Sequence, residues 1–155
     1  MATRQRLQIR KATPADCRDI WLWRNDPVTR AQSLTKRRIS YPRHKKWFTG
    51  TLKDRRRFLC IAFQNGRKVG MVRLDFHPGD VAEISVNIRP EDRGRGLGKK
   101  ILKLADRLLR KQKKHSVQKA IIKKGNIASE KAFSAAGYRK IHESEDQGYS
   151  VWIKS

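Results

Sequence analysis

The chain has 155 residues, 37% of them hydrophobic and 34% charged, with 5 Phe, 3 Tyr and 4 Trp. That length and apolar content suffice for one packed core without disulfides or metals, which excludes an intrinsically disordered chain. Lys and Arg number 38 against 14 Asp and Glu, a net charge of +24; such a field attracts polyanions without choosing among them.

No stretch reaches the roughly eighteen continuous apolar residues that a membrane span needs, so no membrane association is expected. Met1 to Leu7 carries charge but lacks the apolar run of a secretory signal. The two cysteines, Cys17 and Cys60, fall in a predicted helix and a predicted strand as buried thiols do, with no CxxC pair. The expectation is a reducing, cytoplasmic compartment and no metal site.

Leu7 to Arg10 alternates as a short first strand. Thr13-Pro14-Ala15-Asp16 then carries a helix start, with Thr13 as N-cap and Pro14 at the first helical position. The helix runs through Ile20, Trp21 and Leu22 until Asn25-Asp26-Pro27 stops it. A polar, basic segment extends to about Ser40, and Pro42 to Leu52 reads as a second helix with His44, Trp47 and Phe48 on roughly one side.

Phe58 to Phe63 is a strand, Asn65-Gly66 a hairpin turn, and Lys68 to Phe76 the return strand. His77-Pro78-Gly79-Asp80 turns into a third strand, Val81 to Ile88. The period then changes. Pro90 to Arg95 is a loop, and Leu97 to about Lys114 a long helix with Leu97, Ile101, Leu104, Ala105, Leu108 and Leu109 at helical spacing. Val117 to Ile122 has no hairpin turn before it, so strand, crossover helix and strand form a parallel pair. Asn126 to Ala136 is a short helix stopped by Gly137, and Tyr138–Ile141 and Tyr149–Ile153 close the chain as strands. The fold class expected is α+β in one domain over residues 1–155: an antiparallel meander, then a β-α-β crossover, on a mixed sheet.

Between the third meander strand and the long helix lies Arg93-Gly94-Arg95-Gly96-Leu97-Gly98, followed by Lys99 and Lys100. Glycines let the backbone approach a ligand, and the free amides at the helix start cradle a phosphate. A dinucleotide fingerprint would follow the first strand of a βαβ repeat rather than a meander, and a nucleotide-triphosphate loop would end in Gly-Lys-Ser/Thr. Neither context is present.

With these elements around it, the loop resembles the acetyl-CoA signature of the GCN5-related N-acetyltransferase superfamily, Arg/Gln-x-x-Gly-x-Gly/Ala, met here by Arg93, Gly96 and Gly98. The likeness covers about residues 7 to 153. Asn126-Ile127-Ala128-Ser129 through Phe133, then Ala136-Gly137-Tyr138, resembles the family's second cofactor segment. The resemblance implies that acetyl-CoA is bound by Ile88, Arg93, Gly94, Arg95, Gly96, Leu97, Gly98, Lys99, Asn126 and Phe133. It also implies that a main-chain amide at Asn87 or Ile88 faces the thioester carbonyl. Phe133 stands where the family often has a tyrosine that protonates the departing thiolate; another group, water, or unassisted departure must serve instead.

Strand alternation puts Glu83, Ser85 and Asn87 on one sheet face with Arg73 and Asp75 of the preceding strand. An amine must lose a proton as it is acylated, so a base is required within direct or one-water reach. Glu83 is the first candidate, with Asp75 and His44 as alternates. In the superfamily the first two helices wall the acceptor cleft, which implies Trp23, Arg24, Arg30, His44, Trp47 and Arg73 as acceptor-binding residues. Trp23-Arg24-Asn25 with His44-Lys45-Lys46-Trp47-Phe48 resembles the branch that acetylates nucleotide-linked amino sugars, such as UDP-linked sugars of surface-glycan synthesis. A peptide amino terminus is the alternative acceptor, and a non-catalytic nucleic-acid-binding module is the alternative of another class. No specific nucleic-acid partner is expected, because the basic runs are scattered and match no reading motif. Monomer and homodimer are both open.

Overall fold

The computed structural model describes residues 6–112 and 117–155. All seven strands join one sheet: β1 (Leu7–Lys11), β2 (Arg57–Gln64), β3 (Arg67–His77), β4 (Val81–Ile88), β5 (Val117–Lys123), β6 (Arg139–Glu143) and β7 (Tyr149–Lys154), in spatial order β1-β2-β3-β4-β5-β7-β6. Among the described residues five α-helices accompany it: α1 (Cys17–Asn25), α2 (Pro27–Ala31), α3 (Tyr41–Lys53), α4 (Leu97–Gln112) and α5 (Ile127–Ala135). The α+β expectation and the β4-α4-β5 crossover are both met, since β4 and β5 pair in parallel and every other pair is antiparallel. The expected end of the long helix at Lys114 lies outside the described residues.

One element differs from the reading above. The polar segment after Asn25 begins with a short helix, α2, because Asp26 caps it by accepting from the Val28 and Thr29 amides and Pro27 fills the first position. The last two strands do not simply extend the sheet: β7 pairs with β5, which leaves β6 at the edge.

Strand alternation divides the core into two layers. Cys60, Ala62, Val72, Leu74, Ala82 and Ile84 face α4 and α5, meeting Leu97, Ile101, Leu102, Ala105, Leu109 and Phe133. Leu59, Ile61 and Met71 face the other way, onto Ile20, Trp23 and Phe48 of α1 and α3. Full burial of a leucine or isoleucine contributes about 2 kcal/mol, so these two interfaces fix the layers. Gly70 lets β3 and β4 lie close, since a Cβ there would meet the Asn87 carbonyl oxygen at 2.8 Å.

A fully buried carboxylate pins the start of α1. Asp16 accepts from Arg10 at 2.8 and 3.0 Å and from the Thr13 amide at 2.8 Å, and pairs with Lys68 at 2.7 Å. Burial alone would raise its pKa, but the hydrogen bonds from Arg10, Lys68 and Thr13 together hold it well below the usual carboxylate range. A depressed folded-state pKa contributes stability that is present above the unfolded value, near 4, and is lost as pH falls towards the folded one. Asp16→Asn is therefore expected to cost about 3 kcal/mol at pH 7, because it leaves buried cationic groups underpaired. In urea denaturation the gap from the parent protein should narrow progressively below pH 4.

Candidate active site

The parallel ladder between β4 and β5 is three residues long, Val81 to Glu83 against Val117 to Lys119. Past Glu83 the strands part, while β4 remains paired with β3 as far as Ile88. The Arg89 amide donates to Val69 of β3 at 2.8 Å, so by alternation the Asn87 amide also faces β3 and the Ile88 amide faces the opened side. Of the two candidate main-chain donors, the structure therefore turns Ile88 into the gap.

A cleft of about 1140 Å³ occupies this opening, more than a single drug-sized ligand needs. One end is lined by Ile88, Arg93, Gly94, Gly96, Leu97, Gly98 and Lys99 with Asn126, Ser129 and Phe133; the other by Ile20, Arg24, Trp47, Met71, Arg73 and Ser85. Gly94 and Gly96 have φ of 78° and 72°, values that side-chain-bearing residues rarely adopt, and open space where a Cβ would stand. The first amides of the sixteen-residue α4 follow directly. Both ends of the predicted cofactor set thus meet: the glycine loop and Asn126 lie on one wall. The Asn126 side chain also caps α5, accepting from the Ser129 amide at 3.2 Å.

The arginines of the loop are partly committed elsewhere. Asp92, almost fully buried, receives Arg67 at 2.8 Å, Arg89 at 2.7 Å and Arg95 at 3.4 Å. Arg93 donates to Asp26 at 2.9 Å and to the Thr29 hydroxyl, fastening α2 to the glycine loop. Burial opposes ionisation of Asp26, but the Thr29 and Val28 amides and Arg93 outweigh it and lower its pKa. Lys123, at the end of β5, donates to the Ala31 carbonyl at the other end of α2. The short helix therefore straps the mouth of the gap, tied to the glycine loop and to the end of β5. Neither Asp92 nor this strap was anticipated; Asp26-Pro27 as a capped helix start was the available signal.

On the acceptor side, Met71 and Asn87, Arg73 and Ser85, and Asp75 and Glu83 form successive cross-strand rows on one face. Glu83 lies one row beyond the cleft lining, partly buried, with His77 Nε2 at 3.8 Å. Asp75 accepts from Arg73 Nε at 2.9 Å. His44 is fully buried between α1 and α3, its Nε2 2.9 Å from the Cys17 carbonyl oxygen, and packs on Trp47 and Phe48. Burial chiefly, and Arg24 besides, lower its pKa. Trp23 is also core, and Arg30 binds the Asn25 carbonyl through Nε at 3.1 Å. The structure brings Arg24, Trp47 and Arg73 to the cleft and leaves Trp23, Arg30 and His44 out of its lining. The Trp-Arg-Asn segment has a structural task as well: Trp21 Nε1 and the Asn25 side chain both donate to the Ile39 carbonyl at 2.8 Å.

Phe133 is buried and meets Tyr138 edge-on at 4.9 Å between ring centroids. The Tyr138 hydroxyl donates to Gln118 Oε1 at 2.6 Å inside the core, and burial raises its pKa. It does not line the cleft. Cys60 is likewise buried, its thiol pushed up to about 12 by burial. Among the described residues no three His, Cys, Asp or Glu side chains gather to hold a metal, and no helix is long and apolar enough to cross a membrane.

Comparison with solved structures finds the same architecture in other proteins. A domain from Methanocaldococcus jannaschii DSM 2661 is 22% identical with a TM-score of 0.85, covering 97% of this chain and 99% of its own. Spermidine N-acetyltransferase from Vibrio cholerae, solved with CoA and spermine, is 14% identical with a TM-score of 0.85, covering 96% and 94%. Aminoglycoside acetyltransferase AAC(6')-Ib, solved with coenzyme A, is 15% identical with a TM-score of 0.83, covering 97% and 95%. At these identities the likeness establishes the fold. Comparison with curated protein sequences gives no match. The model of the acetyltransferase (GNAT) family matches residues 16–138, a span running from Asp16 through the whole cleft to Tyr138, and the chain belongs to that family.

Proposed function

We propose that this protein transfers an acetyl group from acetyl-CoA to the primary amine of a small molecule, a nucleotide-linked amino sugar. The observation that carries the reading is the parting of β4 from β5 beside a glycine-rich helix start. It supplies a slot between strands, an anion cradle at one end and a polar sheet face at the other.

The residues present fit acetyl-CoA. Open space at the Cβ positions of Gly94 and Gly96 leaves room for a pyrophosphate against the first amides of α4, where the helix dipole favours negative charge. Lys99 adds a cation on that wall, and Asn126, Ser129 and Phe133 border the path inward. The cofactor, when bound, supplies an acyl carbon already activated as a thioester, whose C–S bond breaks as the N–C bond to the acceptor forms.

The chain's own contribution is placement, charge stabilisation and proton removal. The Ile88 amide, unpaired on the opened edge of β4, is the donor aimed where negative charge develops on the carbonyl oxygen. Glu83, on the order of 13 Å along β4 from Asn87, takes the proton from the amine through a chain of waters. Its competitors are worse placed. Asp75 is held by Arg73, and His44 is sealed in the helix interface. With Phe133 in place of a tyrosine and the Tyr138 hydroxyl engaged by Gln118, neither side chain would protonate a departing thiolate, a task that would fall to solvent.

The amino-sugar reading rests on the likeness of the Trp23–Asn25 and His44–Phe48 segments, and on the size of the cleft. A mass-spectrometric screen offering acetyl-CoA with UDP-linked amino sugars, peptide amino termini and small amines tests it: one added acetyl on the sugar is expected, and acetylated peptide beside inert sugar would reverse the choice.

Two variants test the mechanism. Gly96→Val places a β-branched residue at a φ of 72°, where strain costs about 1–3 kcal/mol and the side chain enters the cradle. Acetyl-CoA affinity measured by calorimetry should fall at least about tenfold. Glu83→Gln should lower kcat about 100-fold, the smaller end of general-base effects, flatten the acid limb of the pH–rate profile and leave cofactor affinity unchanged.

A further inference from the structure

The acceptor end of the cleft holds an arginine with no ionic partner. Arg24, on α1, is half-buried and makes no hydrogen bond or ion pair among the described residues. Its guanidinium carbon lies 5.1 Å from the centroid of the Trp47 ring, and that of Arg73 lies 5.6 Å from the same ring. Burial first, and then the like charges of Arg73 and Arg43, lower the Arg24 pKa. Two cations sharing one aromatic platform repel each other, and the arrangement stays unfavourable until an anion enters between them.

Arg73 is the better anchored of the two. Its Nε donates to Asp75, which fixes the plane of the fork and leaves its two terminal nitrogens for a ligand. Ser85, directly across the strand pair, adds a hydroxyl on the same row. Among the described residues the only acidic side chain on the cleft lining is Asp92, at the far end and enclosed by three arginines. Nothing near Arg24 would receive a second positive charge from an acceptor. A polycationic amine would meet like charge; an amine carrying an acidic group would meet a prepared fork.

We propose that Arg24 and Arg73, laid on Trp47, form an anion subsite that selects acceptors bearing a phosphate or carboxylate close to the reacting amine. The Arg73–Ser85 row is two residues from Asn87 on β4, which sets the acidic group on the order of 7 Å from the acylation point. The proposal rests on the acyl-transfer reading above and narrows its substrate class. Arg24 is the specificity determinant, because beyond the Trp47 ring it has no hydrogen-bond or ion-pair partner among the described residues.

The test uses the full-length protein in two readouts. In the first, acetyl transfer is compared among glucosamine, glucosamine 1-phosphate, a UDP-linked amino sugar, a set of free amino acids and spermidine. The expected result is at least about 100-fold higher kcat/KM for acceptors with an acidic group. Preference for the phosphates over amino acids assigns phosphate as the source, and the reverse assigns carboxylate. Equal rates for neutral and anionic amines, or preference for spermidine, would overturn the proposal.

In the second, calorimetry follows a UDP-linked amino sugar binding to protein saturated with CoA, so that the glycine loop is already filled. Arg24→Ala should weaken binding about 30-fold, as loss of a charge-assisted contact does, and raise KM rather than lower kcat. Arg24→Lys should recover part of the loss. Unchanged affinity in both variants, with thermal melts showing them folded, would overturn the subsite even if acetyl transfer proceeds. Binding that depends on Arg24 without any acetyl transfer would uphold the subsite and refute the acyl-transfer reading.

Discussion

Once β4 and β5 separate after Glu83, the main-chain groups on the facing edges of the two strands lose the partners a continuous ladder would give them. Unpaired backbone groups are costly when buried, so the gap has to remain accessible to water or be filled by a ligand. The glycine loop and the start of α4 stand at its open end, and the Arg73–Ser85 row lies within it. The donor and acceptor walls are consequences of where the ladder stops. Filling the gap with a continued β4–β5 pairing would remove both without altering either hydrophobic layer.

Much of this was legible in the chain because local signals agreed with the final packing. Val81 to Ile88 alternates, and its apolar set, Ala82 and Ile84 above all, is buried against α4 as the period-two pattern predicts. The change from period two to helical spacing at Leu97 marks the crossover. Other features were not legible because they depend on contacts far apart in sequence. Trp23 and His44 carry residue types suited to a binding cleft, yet their side chains close the α1–α3 interface. Trp21 and Asn25 look like a recognition motif and instead hold the backbone at Ile39. The insertion of β7 between β5 and β6 follows from no turn signal. Exposure and ring position, not residue type, separate Trp47 from its neighbours.

The basic excess likewise resolves into unequal parts. Some cations are consumed by two buried carboxylates, Arg10 and Lys68 by Asp16 and Arg67, Arg89 and Arg95 by Asp92, and others by two partly buried ones, Arg93 by Asp26 and Lys154 and Arg110 by Asp106. The Asp92 and Asp26 pairs organise the loop beside the cleft. Because Asp92 gathers arginines from β3 and from both ends of the turn after β4, it stiffens the ground on which the glycines turn. The Arg93–Asp26 and Lys123–Ala31 contacts fasten α2 to the glycine loop and to the end of β5.

The sheet ends at β6, whose five residues are all exposed. An outermost strand with free main-chain groups is an invitation to stack against a second molecule, and here that invitation is withdrawn. The register slips between Lys140 and His142, and Arg139, Lys140 and Glu143 stud the rim, devices that disrupt sheet-to-sheet stacking. Molecules of this protein at high concentration should therefore resist fibrous clumping through that border.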